Sequence, residues 1–128
     1  MKTKEDVEAL ERLIGQLQGL HAEISQLARK APNDAVNAFK LKLINKVITA
    51  GNVVLGENYR PFTEFDEFDA DDVPTNSDVT MILSQYMEQA EIYRSDNVEH
   101  DGRSWRYTIS GKASHIEAAR PSQIGTKK

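Results

Sequence analysis

The sequence predicts an α+β fold that is mainly α: a long antiparallel helical hairpin, a third helix and a small C-terminal β-hairpin. Three observations carry this. Apolar residues recur at helical spacing over residues 4–29, 35–55 and 76–95. Capping residues open these stretches, and proline or glycine separates them. Beyond residue 97 the pattern changes to short alternating runs around an Asp-Gly pair.

The first helix is expected from Lys4 to Arg29. Thr3 stands at its N-cap with Asp6 three residues on, an aspartate version of the capping box. Val7, Leu10, Ile14, Leu17 and Ile24 fall at a and d heptad positions, with His21 in an apolar slot, while Leu13, Leu20 and Leu27 repeat at g. A stripe this wide exceeds what one antiparallel neighbour covers. Val7, Leu10, Leu13, Ile14, Leu17, Leu20, Ile24 and Leu27 are therefore expected to form an oligomerisation surface, in a homodimer or a hetero-complex. Gly15 and Gly19 lie off this seam and cost about 1 kcal/mol each relative to alanine. Close approach of another helix and plain surface exposure both account for them.

Ala31-Pro32-Asn33-Asp34 ends the first helix, because proline disfavours helical backbone in the residue before it. A second helix is expected from Ala35 to Leu55, capped by Asn33 or Asp34 and stopped at Gly56. Its core face is read as Val36, Phe39, Leu43, Val47, Ile48 and Val54, with Ile44 and Leu55 at the edges. Lys40, Lys42 and Lys46 read as a solvated basic face. The third helix runs from Asn76 or Ser77 to Ser95, with Thr75 and Asp78 forming another capping box, and Val79, Ile82, Leu83, Tyr86, Ala90 and Tyr93 as its stripe.

Asp101-Gly102 suits a two-residue type I′ turn, which sets Val98 opposite Trp105 and puts Trp105, Tyr107 and Ile109 on one face. Residues 1–110 then form one helical domain with a β-hairpin, and residues 111–128 a flexible basic tail.

The 128 residues suit one domain. The absence of cysteine excludes a disulfide scaffold and a thiolate zinc site, and fits a cytoplasmic location. A charged N-terminus and the lack of a long apolar run argue against a leader or a membrane span. The net charge of −4 disfavours direct nucleic-acid binding and is unevenly spread: residues 57–101 carry thirteen carboxylates against two arginines.

Much of that acidity lies in an irregular stretch bracketed by Pro61 and Pro74, where Phe62, Phe65 and Phe68 recur every third residue among Glu64, Asp66, Glu67, Asp69, Asp71 and Asp72. Metal binding of the EF-hand kind fails in both registers tried: the sixth position from Asp69 is Pro74, and the third from Asp66 is Phe68. No metal site or other cofactor is expected. Gly51 to Gly56 has P-loop glycine spacing, but Glu57 stands where lysine is required. Aromatic anchors among carboxylates instead suit a protein partner with a basic surface, with Phe62, Phe65, Asp66, Glu67, Phe68, Asp69, Asp71 and Asp72 making contact. The lead expectation is a non-enzymatic interaction module acting as regulator, adaptor or inhibitor. An acidic mimic of nucleic acid, blocking a DNA- or RNA-binding enzyme, is one alternative.

The other alternative rests on Arg94 and His100, whose separation falls within the Arg-x(4–6)-His spacing of HEPN-type ribonucleases. The chain resembles that family in being small and helical. The resemblance implies that arginine and histidine side chains act together on an RNA phosphate, by charge stabilisation and proton transfer.

Overall fold

The structure is a computed structural model in which residues 1–122 are described. Its elements in chain order are α1 (Lys4–Lys30), α2 (Ala38–Tyr59), a single 3-10 turn (Ala70–Asp72), α3 (Asn76–Asp96), β1 (Val98–His100), β2 (Trp105–Ile109) and β3 (Lys112–Glu117). The fold is mainly α with a small antiparallel sheet, as the patterning predicts.

Both capping boxes form. The Thr3 hydroxyl accepts from the Asp6 amide while the Asp6 carboxylate accepts from the Lys2 and Thr3 amides, and Thr75 and Asp78 repeat the exchange at the start of α3. The first-turn carboxylates also meet the positive end of each helix dipole.

The wide stripe of α1 lies within the chain. Val7, Leu10, Leu13, Leu17 and Ile24 are buried, and Ile14, Leu20 and Leu27 are partly buried against the same core. The helix packs on both α2 and α3, most extensively on α3. Two neighbours cover what one could not, so Val7, Leu10, Leu13, Leu17 and Ile24 are core rather than an oligomerisation surface, which corrects the expectation for those five.

The second helix departs from its expected bounds. Residues 32–36 are drawn into pairing with the start of α3: Val36 N–H donates to the Pro74 carbonyl, Asn76 N–H to Asp34, Ser77 N–H to Pro32, and Ala35 and Thr75 form an antiparallel bridge. Helix can therefore begin only at Ala38, where the Asn37 side chain caps the Lys40 amide. The buried face differs too. It comprises Leu41, Ile44, Val47, Ile48, Gly51 and Leu55, whereas Phe39 and Leu43 are 70% and 39% exposed. The sequence of α2 offers two apolar stripes, and contact with both neighbours selects the one containing Gly51. A Cβ there would lie 3.3 Å from Leu13 Cδ1 and 3.4 Å from Tyr86 Cδ2. Gly56 has the positive φ expected of it (65°), but one further turn follows it, ending at Tyr59.

The sheet is a three-stranded meander in the order β1-β2-β3. Val98 pairs with Tyr107 and His100 with Trp105, so a four-residue loop replaces the expected two-residue turn. Asp101 causes this. Its carboxylate accepts from the amides of Arg103 and Ser104 and from the Arg106 guanidinium, and holds the longer loop closed. These bonds hold its carboxyl well below the usual aspartate range, the Ser104 amide foremost. The shift is two residues, so the faces are unchanged, and Tyr107 is the buried residue of β2. The tight turn falls later, at Ser110-Gly111, where both residues have positive φ (53° and 81°) and Ile109 pairs with Lys112. It starts β3 inside what reads as a tail. The assignment of 111–128 to a flexible tail is therefore corrected for residues 112–117; residues 123–128 lie outside the described residues.

Candidate functional site

The acidic-aromatic segment runs back along α2 as a strap, held by two side chains of α2 and by Arg60, which follows that helix. Asn45 exchanges two hydrogen bonds with the Phe68 backbone, donating to its carbonyl at 2.9 Å and accepting from its amide at 2.8 Å. Asn52 donates to the Phe65 carbonyl, and its own oxygen accepts from the Tyr86 hydroxyl at 2.7 Å. Arg60 donates to the carbonyls of Phe62 and Phe65 and to the Asp66 carboxylate. A segment with little regular structure thus has backbone groups satisfied by two amide side chains about two helical turns apart.

The phenylalanines divide. Phe65 and Phe68 are half-buried against the core, their rings 5.1 Å apart in edge-to-face contact. Phe62 is 38% exposed and meets Phe65 edge-on at 6.4 Å. Phe65 and Phe68 therefore pack within the chain, and Phe62 is the aromatic group left at the surface.

All six carboxylates, Glu64, Asp66, Glu67, Asp69, Asp71 and Asp72, are exposed. Asp66 has an ion-pair partner in Arg60 yet stays open to solvent, and Asp69 caps the 3-10 turn through the Asp71 amide. Like charges so close repel one another, and the clamp from α2 holds them together against that repulsion. Among the described residues no cluster of histidine, aspartate and glutamate is arranged to hold a metal ion, and no helix is long and apolar enough to cross a membrane.

A cleft lies on each side of the strap. On the α3 side, Pro61, Phe62, Thr63, Phe65 and Ile82, with Glu64, line an open and largely apolar depression of about 650 Å³. On the α2 side, Lys42, Lys46, Ala50 and Val53 face Glu67 across a groove of about 500 Å³.

The structure does not present Arg94 and His100 as a pair. Arg94 is buried, and its guanidinium donates to both carboxylate oxygens of Glu91 and to the carbonyls of Ala119 and Arg120. Burial works against the Glu91 charge, but bonds from Arg94 and the Ser122 amide outweigh it and bring that carboxyl down to about 2. The Glu91 bonds likewise push the Arg94 guanidinium above its usual value. His100 sits exposed on β1, its Nδ1 accepting from the Gly102 amide and its ring edge-on to Trp105. Arg94 is thus a clamp on the segment after β3. Beside it, burial and the Glu11 carboxylate raise the Tyr107 hydroxyl well above its ordinary range.

Sequence reasoning passed over Asn45, Asn52 and Arg60. The available signal was two amide residues seven apart on a helix otherwise rich in apolar residues, facing a proline-bracketed loop. The Glu91–Arg94 pair was visible as an i, i+3 charge pair, but its burial was not. No protein-family model matches the chain, and no curated protein or solved structure matches it.

Proposed function

We propose that this chain is a non-enzymatic protein–protein interaction module, a regulator, adaptor or inhibitor, whose partner presents basic side chains around an apolar projection. One observation carries the reading: a row of six exposed carboxylates is clamped to α2 beside an apolar cleft rimmed by Phe62. Because the strap is already fixed, less ordering entropy opposes binding than a mobile acidic loop would incur. The carboxylates speed encounter over about 10 Å at 0.1 M salt, while contact in the cleft governs how long the complex lasts. Of the three phenylalanines, Phe62 is the anchor, the ring that has exposed surface to offer. A cysteine-free chain suits a cytoplasmic setting for this encounter.

A second reading is favoured by the same carboxylate row, which resembles a short run of phosphates and suits a groove that otherwise holds nucleic acid. The partner's own nucleic acid then competes with this chain for binding.

A photo-crosslinking phenylalanine analogue at position 62, introduced in the native host, identifies the partner. With that partner purified, Phe62→Ala should speed dissociation. Neutralising Asp66, Asp69, Asp71 and Asp72 to asparagine should slow association and flatten its salt dependence. If both variants bind with wild-type kinetics while folding normally, the reading fails.

A further inference from the structure

We infer that a second copy of this chain docks in the groove between α2 and the strap, the two copies related by a two-fold axis running along the groove. The first observation is an apolar ridge with no cover. Phe39, Leu43, Ala50 and Val53 share one face of α2, with Lys46 between Leu43 and Ala50, and Ala50 and Val53 line the groove itself. The core uses the other stripe of α2, and Val53 is left 79% exposed. Large exposed apolar groups aligned along one helix face mark an interaction surface more often than scattered ones do.

The second observation identifies the occupant. One wall of the groove, on α2, is basic through Lys42 and Lys46; the other, on the strap, is acidic through Glu67. None of these three forms an ion pair among the described residues. A uniformly basic or acidic partner matches one wall and is repelled by the other. A copy of the same face matches both, since a two-fold along the groove lays α2 of each chain on the strap of the other. Lys42 and Lys46 then meet the partner's Glu67, and the reverse contact forms identically, as a self-complementary interface requires. Ala50 and Val53 are buried at the centre. The cleft at Phe62 and Ile82 lies on the other side of the strap, so pairing leaves that cleft open.

Charge reversal tests this in solution. Sedimentation equilibrium should give the wild-type chain twice its monomer mass of 14.4 kDa. Lys46→Glu sets glutamate against the partner's Glu67, and Glu67→Lys sets lysine against the partner's Lys46; each should weaken pairing about tenfold or more. Mixing the two variants should restore it, because the mixed dimer has an opposite charge at both contacts. Val53→Asp should abolish pairing and, being on an exposed side chain, leave the helical circular dichroism unchanged. A wild-type chain that stays monomeric at high concentration overturns the proposal. So does a dimer indifferent to all three substitutions, or a mixture that fails to recover.

Discussion

Glu91 is a partly buried carboxylate on whose charge the fold depends, and Glu91→Gln measures that dependence. The carboxylate is held near 2 against an ordinary value of 4.5. At about 1.4 kcal/mol per pH unit this corresponds to about 3 kcal/mol. The side chain keeps 21% of its exposure, so solvent screening reduces this to about 2 kcal/mol. The rise in Arg94 reports the same contact and adds nothing to the figure. Because the folded-state value is depressed, the stabilisation is fully present above about pH 4.5 and drains away as pH falls towards 2. Glutamine keeps an acceptor for Arg94 but cannot ionise. Denaturant unfolding at pH 7 should therefore find Glu91→Gln about 2 kcal/mol less stable than wild type, and the gap should close as pH falls towards 2. The Ser122 amide, which donates to Glu91, should lose exchange protection in the variant at neutral pH. A gap that is the same at pH 7 and pH 3 refutes the reasoning, since the loss would then come from packing and not from charge.

Gly15 and Gly19 have open space where a Cβ would stand, so Gly15→Ala and Gly19→Ala should each raise stability by about 0.5–1 kcal/mol in thermal unfolding. Gly51→Ala, crowded by Leu13 and Tyr86, should show no such gain. Asn45→Ala leaves the Phe68 amide and carbonyl without their partner; it should cost about 1–3 kcal/mol and raise hydrogen exchange at residues 65–69 before the helices are affected. Leu17→Asp buries an unpaired charge at a fully enclosed position, so circular dichroism should show an unfolded chain rather than a folded one of altered mass.

The three helices and both capping boxes were legible because local rules decide them: period, cap chemistry and proline. The first stripe was read correctly as apolar but assigned to another molecule, because a sequence shows how wide a face is and not how many neighbours its own chain will fold against it. On α2 the ambiguity was physical. Phe39 and Leu43 suit a core as well as Leu41 and Ile44 do, and only the close approach at Gly51 separates the two faces. The hairpin register differs for a comparable reason: Asp-Gly favours a tight turn, but the hydrogen bonds that Asp101 accepts from two later amides and Arg106 hold a wider one. At the site, the acidic row and its aromatic spacing could be read directly. Which ring faced outward could not, since this depends on Asn45 and Asn52 reaching across to backbone groups distant in sequence.

The pairing of residues 32–36 with residues 74–77 also bears on how the chain folds. Two helices joined by a short link ordinarily form early, since closing a small loop costs little entropy. Here the Val36 amide and the Pro32 and Asp34 carbonyls find these partners only when Pro74 to Ser77 arrive, after α2 and the whole strap have been made. The first hairpin is thus incomplete until residues 74–77 have been made. The strap's own bonds come from Asn45, Asn52 and Arg60, so its carboxylates take up their arrangement once α2 has formed.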